Sequence, residues 1–222
     1  MGSEWSRRRF LAAAAATTSI LLDHQTHAQT QAAAPATPQE ALDRLMQGNA
    51  RFAVDQITSI AQDLKLLKEH TVDKQEPFAA ILSCADSRVP VELVFDQTIG
   101  HIFVTRVAGN IINSEIIGSL EYGAAVLGVK VLIVLGHSNC GAVSAALYKK
   151  PVPGQIASLY PHLESAVADA GGDIVVATKR NAKIQANLLS KTSTVLAPLV
   201  KEGKLKIEAA YYEVATGKVT LL

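Results

Sequence analysis

Apolar residues change their spacing several times along this chain, and each change marks an element. From Pro38 onward, Ala41, Leu42, Leu45 and Met46 recur at helical intervals as far as Gly48 and Asn49, with Phe52 following, which predicts an amphipathic helix. A second helix is predicted over residues 61–69. Phe78-Ala79-Ala80-Ile81-Leu82 then runs without polar alternation, the pattern of a strand buried on both faces of a parallel sheet. Residues 102–107 and 129–135 predict two further strands. The apolar helical segment from Ser114 to Leu127 between them makes a βαβ crossover.

Beyond the third strand, Ala142 to Tyr148 can form a helix, which Pro151-Val152-Pro153-Gly154 breaks. Helical patterns follow over residues 156–170 and 173–200. Leu205 to Leu222 has strand character, with Thr216-Gly217 as a hairpin turn. Strands alternating with helices imply an α/β fold, in which ligands bind at the carboxyl ends of the strands near a switch in strand order. Two polar clusters stand at such ends. Ser83-Cys84-Ala85-Asp86-Ser87-Arg88 closes the first strand, and Gly136-His137-Ser138-Asn139-Cys140-Gly141 closes the third.

Composition narrows the function classes. Of 222 residues, 49% are apolar and 18% charged, with a formal net charge of +1. That balance argues against a disordered chain, a nucleic-acid binder with a basic face, or an acidic tail protein. The N-terminus differs from the rest. Arg7-Arg8-Arg9 precedes a weakly apolar run too short to span a membrane, and Thr26-His27-Ala28 offers a small-x-small cleavage site. This resembles a twin-arginine export signal over residues 1–28, cut after Ala28, and predicts a periplasmic protein with no membrane span. Residues 29–37 read as a linker, and 38–222 as one folded domain.

The candidate chemistry lies in Cys84-x-Asp86-x-Arg88 and His137-x-x-Cys140. Two thiolates, an imidazole and a carboxylate suit Zn²⁺, which prefers four sulfur, nitrogen and oxygen donors in a tetrahedron. Two thiolates already cancel the charge of the ion, so a bound Asp86 leaves the site at net minus one. The Arg88 fork can draw Asp86 off the metal and open a position for water. Zinc lowers the pKa of such a water to roughly 7, and Asp86 would orient the resulting hydroxide. The bland alternatives are a Cys84–Cys140 disulfide, a core role for His137 and a surface ion pair between Asp86 and Arg88. His70, His101 and His162 have no partner pattern and are read as surface or loop residues.

Taken together, Cys84-Ala85-Asp86-Ser87-Arg88-Val89-Pro90 and Gly136-His137-Ser138-Asn139-Cys140-Gly141 resemble the signatures of the β-class carbonic anhydrases. Arg106-Val107-Ala108-Gly109-Asn110, Glu121-Tyr122-Gly123 and Gly48-Asn49-x-Arg51-Phe52 are also similar to segments of that family. The resemblance implies a central, mostly parallel β-sheet flanked by helices, with an N-terminal helical arm. It implies one zinc per chain on Cys84, His137 and Cys140, with Asp86 either the fourth ligand or paired to Arg88. It implies reversible hydration of CO₂ to bicarbonate through a zinc-bound hydroxide. By the same resemblance, Gln75 orients substrate, the Gly141 amide faces the site, and Phe103, Ala108 and Tyr122 line an apolar pocket. Ile81 stands where bicarbonate-regulated members carry tryptophan, although Arg106 matches another position of that regulatory site. The family implies a homodimer or tetramer with the site near the subunit boundary. The competing readings are a carbonyl sulfide or carbon disulfide hydrolase on the same zinc set, and a noncatalytic periplasmic module stapled by a disulfide.

Overall fold

In the computed structural model, which describes residues 33–59, 68 and 71–222, the first element is helix α1 (Pro38–Phe52). Thr37 caps it: its hydroxyl accepts from the Glu40 backbone N–H while the Glu40 carboxylate accepts from the Thr37 N–H. This reciprocal pair satisfies two donors that a helix start otherwise leaves bare. The helix runs past Gly48 and Asn49, and the helix predicted over 61–69 falls outside the described residues apart from Lys68. Strand β1 (Ala79–Ser83) follows, then a short helix α2 (Val91–Val94), strand β2 (Ile102–Arg106) and helix α3 (Ser114–Glu121). The predicted helix from Ser114 to Leu127 is therefore present, but its last turn, Tyr122–Val126, widens to π geometry.

Strand β3 (Val131–His137) comes next, followed by α4 (Gly141–Leu147), α5 (Tyr160–Ala168), α6 (Ile174–Thr192), α7 (Leu196–Lys201), β4 (Lys206–Glu213) and β5 (Lys218–Leu221). Where one helix was expected over 173–200, the chain breaks at Ser193, whose backbone is extended (φ −71°, ψ 121°). The Ser193 hydroxyl accepts from the Leu196 N–H and starts α7. Pro198 then lies in the first turn of α7, where its missing N–H costs nothing.

The strands form one sheet in the order β2-β1-β3-β4-β5, parallel except for β5, which returns antiparallel through the Thr216-Gly217 turn. Strand alternation sorts the core into two layers. Ile81, Ile133 and Leu135 face Leu42, Leu45 and Phe95 on the side of α1. Ala80, Leu82, Leu132 and Val134 face Leu120, Ala182, Leu189 and Leu196 on the side of α3, α6 and α7. The N-terminal helical arm is thus α1, and its apolar stripe is buried against the sheet.

Strand β3 continues two residues further than the hydrophobic run predicted, so Gly136 and His137 belong to the strand. Glycine fits here because α6 approaches closely. A Cβ on Gly136 would meet Thr178 Cγ2 at 3.0 Å and the Thr178 carbonyl oxygen at 3.2 Å. His137 is carried by this extension to the carboxyl edge of the sheet, beside the end of β1.

Candidate metal centre

Strand order switches at β1: the chain goes from β1 to β2 on one side, while β3 returns parallel on the other. Ser83, the last residue of β1, sits level with Leu135 of β3. The residues that follow at the two strand ends therefore meet in the crevice between them, which is where open parallel sheets bind ligands. Cys84 enters from β1 and His137 from β3. Asn139, in a left-handed conformation (φ 54°), turns the chain so that Cys140 folds back at the head of α4.

The ligating atoms of Cys84, His137 and Cys140 all lie within 4.8 Å of one another, and all three residues are buried. The two sulfurs are 3.9 Å apart and both cysteines are free thiols, so they are not joined in a disulfide, whose sulfurs stand about 2.0 Å apart. His137 is fully buried. Its Nδ1 lies 3.0 Å from the Ser138 carbonyl oxygen. A carbonyl only accepts, so the proton sits on Nδ1 and Nε2 presents a lone pair. That Nε2 is buried without a hydrogen-bond partner, a costly arrangement unless something else takes the lone pair.

The sulfur pair titrates as a unit. The hydrogen bond from the Cys140 thiol is the main influence pulling the Cys84 thiol below its ordinary value, against the effect of burial, and a hydrogen bond from the Gly109 N–H (3.3 Å) adds to it. The same sulfur contact, with burial, pushes the Cys140 thiol upward. The first proton is therefore easier to remove than the second. A buried, unpartnered nitrogen beside two buried sulfurs fits Zn²⁺, which takes nitrogen and sulfur donors and displaces thiol protons.

Asp86 and Arg88 form a bidentate pair. Arg88 Nε donates to Oδ1 at 2.9 Å and an Nη donates to Oδ2 at 2.7 Å, with the Arg88 backbone N–H adding a third bond to Oδ1. These bonds hold the Asp86 carboxyl well below the usual carboxylate range. Asp86 Oδ2 remains 3.9 Å from His137 Nε2, beside the metal donors yet engaged by Arg88. Of the two arrangements read from sequence, the geometry is that of the Asp86–Arg88 pair. Arg106, which matches a position of a regulatory site by resemblance, donates from its guanidinium to the Cys84 and Asp86 carbonyl oxygens and ties down the loop between them.

Of the expected pocket residues, Ala108 is adjacent to Gly109 on the turn after β2, and Gly141 is exposed next to Cys140, with open space where a Cβ would point. The others are not brought to the cluster within one chain. Phe103 pairs with Ala80, four residues and roughly 13 Å of strand from Cys84. Tyr122 packs with Phe103 (ring centroids 6.3 Å apart) and is 47% exposed. Gln75 is exposed ahead of β1, at the amino end of the sheet. His101 is half-buried and His162 exposed, while His70 lies outside the described residues. Sequence reasoning missed Gly109 as a donor to sulfur, and missed Asn181 and Gln185 behind it. The available signal was two amides four residues apart on the apolar stripe of α6.

The chain is similar to known proteins along most of its length. A family model described as carbonic anhydrase matches residues 79–219. The chain is 44% identical over 110 residues to carbonic anhydrase 2 of Mycobacterium tuberculosis, a match covering 50% of this chain and 53% of that protein, so it spans about half the length of that relative. It is 30% identical over 196 residues to a carbonic anhydrase of Pseudomonas aeruginosa, covering 80% of this chain and 86% of the relative. Among solved structures, the β-carbonic anhydrase CcaA superposes with a TM-score of 0.67 at 27% identity, over 81% of this chain and 94% of that one.

Proposed function

Because this chain belongs to the β class of the carbonic anhydrase family, we propose that it catalyses the reversible hydration of CO₂ to bicarbonate and a proton, with one zinc ion held by Cys84, His137 and Cys140. The observation that carries this reading is the buried, unpartnered Nε2 of His137 beside two sulfurs 3.9 Å apart. When bound, zinc supplies the Lewis acidity that makes a water nucleophilic near neutral pH.

The chain's own residues do the rest. The Ser138 carbonyl holds the proton on His137 Nδ1, so Nε2 faces the two sulfurs as an acceptor. Arg88 holds the Asp86 carboxylate ionised beside the metal donors, where an oxygen can accept a hydrogen bond from the attacking water and orient it. Arg106 fixes the backbone between Cys84 and Asp86, so ligand and acceptor keep one spacing. The Gly141 N–H and Ala108 stand at the rim, where a small apolar substrate needs one amide donor and an apolar wall.

Gln75, Phe103 and Tyr122 join a site only if a second copy brings them, and a homodimer or tetramer is the assembly we propose. Its support is the half-exposed Tyr122 beside the unpaired edge of β2. Among the described residues no helix is long and apolar enough to cross a membrane. Export to the periplasm is proposed from Arg7-Arg8-Arg9 and the apolar run after it, and the N-terminus of the secreted protein, expected at Gln29, checks it.

The test is stopped-flow hydration of CO₂ by the purified protein, with and without a zinc chelator, alongside turnover of carbonyl sulfide and carbon disulfide. Fast, chelator-sensitive CO₂ hydration supports the reading. Turnover confined to the sulfur compounds would reassign the substrate, and no turnover with oxidised cysteines would favour the noncatalytic module.

A further inference from the structure

Gly109 is held at both ends. Its N–H donates to Cys84 Sγ at 3.3 Å, and its carbonyl oxygen accepts from Asn181 Nδ2 at 2.7 Å. The residue has φ 76°, a left-handed conformation natural to glycine, and an added Cβ would press on Ala142 Cβ at 3.3 Å. The turn after β2 thus has little freedom to place that N–H elsewhere.

Asn181 is fully buried on α6, and Gln185, one turn further on, is 1% exposed. Gln185 Nε2 donates to Asn181 Oδ1 at 3.0 Å and to the His162 carbonyl oxygen at 3.1 Å, while Gln185 Oε1 accepts from the Ile112 N–H at 3.1 Å. The two amides therefore clip the loop at Gly109 and Ile112 and anchor it to the carboxyl-terminal side of His162. The rest of the stripe is mostly alanine: Ala177, Ala182 and Ala186. Burying two amides there costs free energy that alanine would avoid, so their placement calls for a role beyond packing.

We infer that Asn181, supported by Gln185, is a positioning residue for the metal centre: it orients Gly109 so that its N–H stays on the Cys84 sulfur. A hydrogen bond to a ligating thiolate withdraws charge from the sulfur and fixes its orientation, and outer partners of this kind set both affinity and reactivity. The inference rests on the zinc reading above and extends it to α6, a helix that supplies no ligand.

The test compares the full-length wild type with Asn181→Ala, Asn181→Ser and Leu189→Ala, the last a buried α6 residue with no bond to the loop. Zinc affinity is measured by competition with a chromophoric chelator, and the thiolate-to-metal charge-transfer band is recorded after substitution with Co²⁺. The Asn181 variants are expected to bind zinc about 10- to 100-fold more weakly and to shift the cobalt band. Leu189→Ala should lower the melting temperature while leaving both readouts within twofold of wild type. Asn181 variants that melt earlier but keep wild-type zinc affinity and an unmoved cobalt band would overturn the inference. If the alanine variant does not fold, the serine variant decides by the same criteria. A wild type that takes up no zinc or cobalt is a separate result, which overturns the zinc reading and this extension with it.

Discussion

Two histidines sit at opposite ends of the same sheet, and their surroundings could hardly differ more. His101, at the amino end just before β2, lies 3.2 Å from an Arg44 Nη through Nδ1, with its ring tilted against Phe78. A guanidinium only donates, so Nδ1 accepts and the ring is neutral. Burial first, and the charge of Arg44 second, lower its pKa to about 4. His137, at the carboxyl end, spends its N–H on the Ser138 carbonyl and leaves a buried lone pair facing two sulfurs. Burial alone does not make a histidine a ligand. The nitrogen left over, and what it faces, does.

The largest effect expected from breaking this contrast is at His137. His137→Ala removes the lone pair and leaves a sulfur pair without its nitrogen donor. Zinc content should fall from one per chain to near zero and hydration to the buffer rate, as metal analysis and stopped flow would show. The corresponding His101→Phe variant should keep both.

Next comes Arg88→Ala, which frees Asp86 from its bidentate partner while sparing all three buried donors. Hydration is expected to fall by about a hundredfold or more, the range of a misplaced orienting group, with zinc retained. Simultaneous loss of zinc would show instead that the pair holds the site together.

A smaller effect is expected at Arg106→Met, which removes the two donations to the Cys84 and Asp86 carbonyl oxygens. Stability should drop by about 2 kcal/mol, seen as a melting temperature lower by roughly 4–8 °C. Arg106→Lys should recover only part of it, because an ammonium lacks the fork that spans both carbonyls.

The smallest effect is a pH dependence at His101. The unfolded chain takes up a proton near the ordinary value of 6.5, while the folded chain resists it to about 4. Between those values the unfolded state binds more protons, so this histidine's contribution is full above pH 6.5 and declines as pH falls toward 4. Melting temperatures from pH 7.5 to 4.5 should decline less steeply for His101→Phe than for wild type.

Much of this molecule could be read from residue order. The apolar run before Ser83 gave β1, and its abrupt end in Cys84 and Asp86 located the site, because a doubly buried strand has a one-sided pattern that little else produces. The Asp86–Arg88 pairing was one of the two arrangements that charge and the arginine fork left open for Asp86. Other features depend on partners distant in sequence. Strand β3 extends through Gly136 and His137 by pairing with Tyr211 and Tyr212 of β4, which no local propensity encodes. The break at Ser193 was hidden because the apolar spacing continues across it, although Pro198 needed a helix start just before it. Gln75, Phe103 and Tyr122 match family positions, but their distance from Cys84 along the sheet appears only once the strand register is known. Asn181 and Gln185 carry no motif, and only the fold reveals that they reach Gly109 and Ile112.

X-ray absorption at the zinc edge of the purified protein tests the central claim most directly. We predict one zinc per chain with two sulfur neighbours at about 2.3 Å and the remaining neighbours nitrogen or oxygen at about 2.0–2.2 Å. A shell of nitrogen and oxygen alone, or no zinc with Cys84 and Cys140 joined as a disulfide, would contradict it.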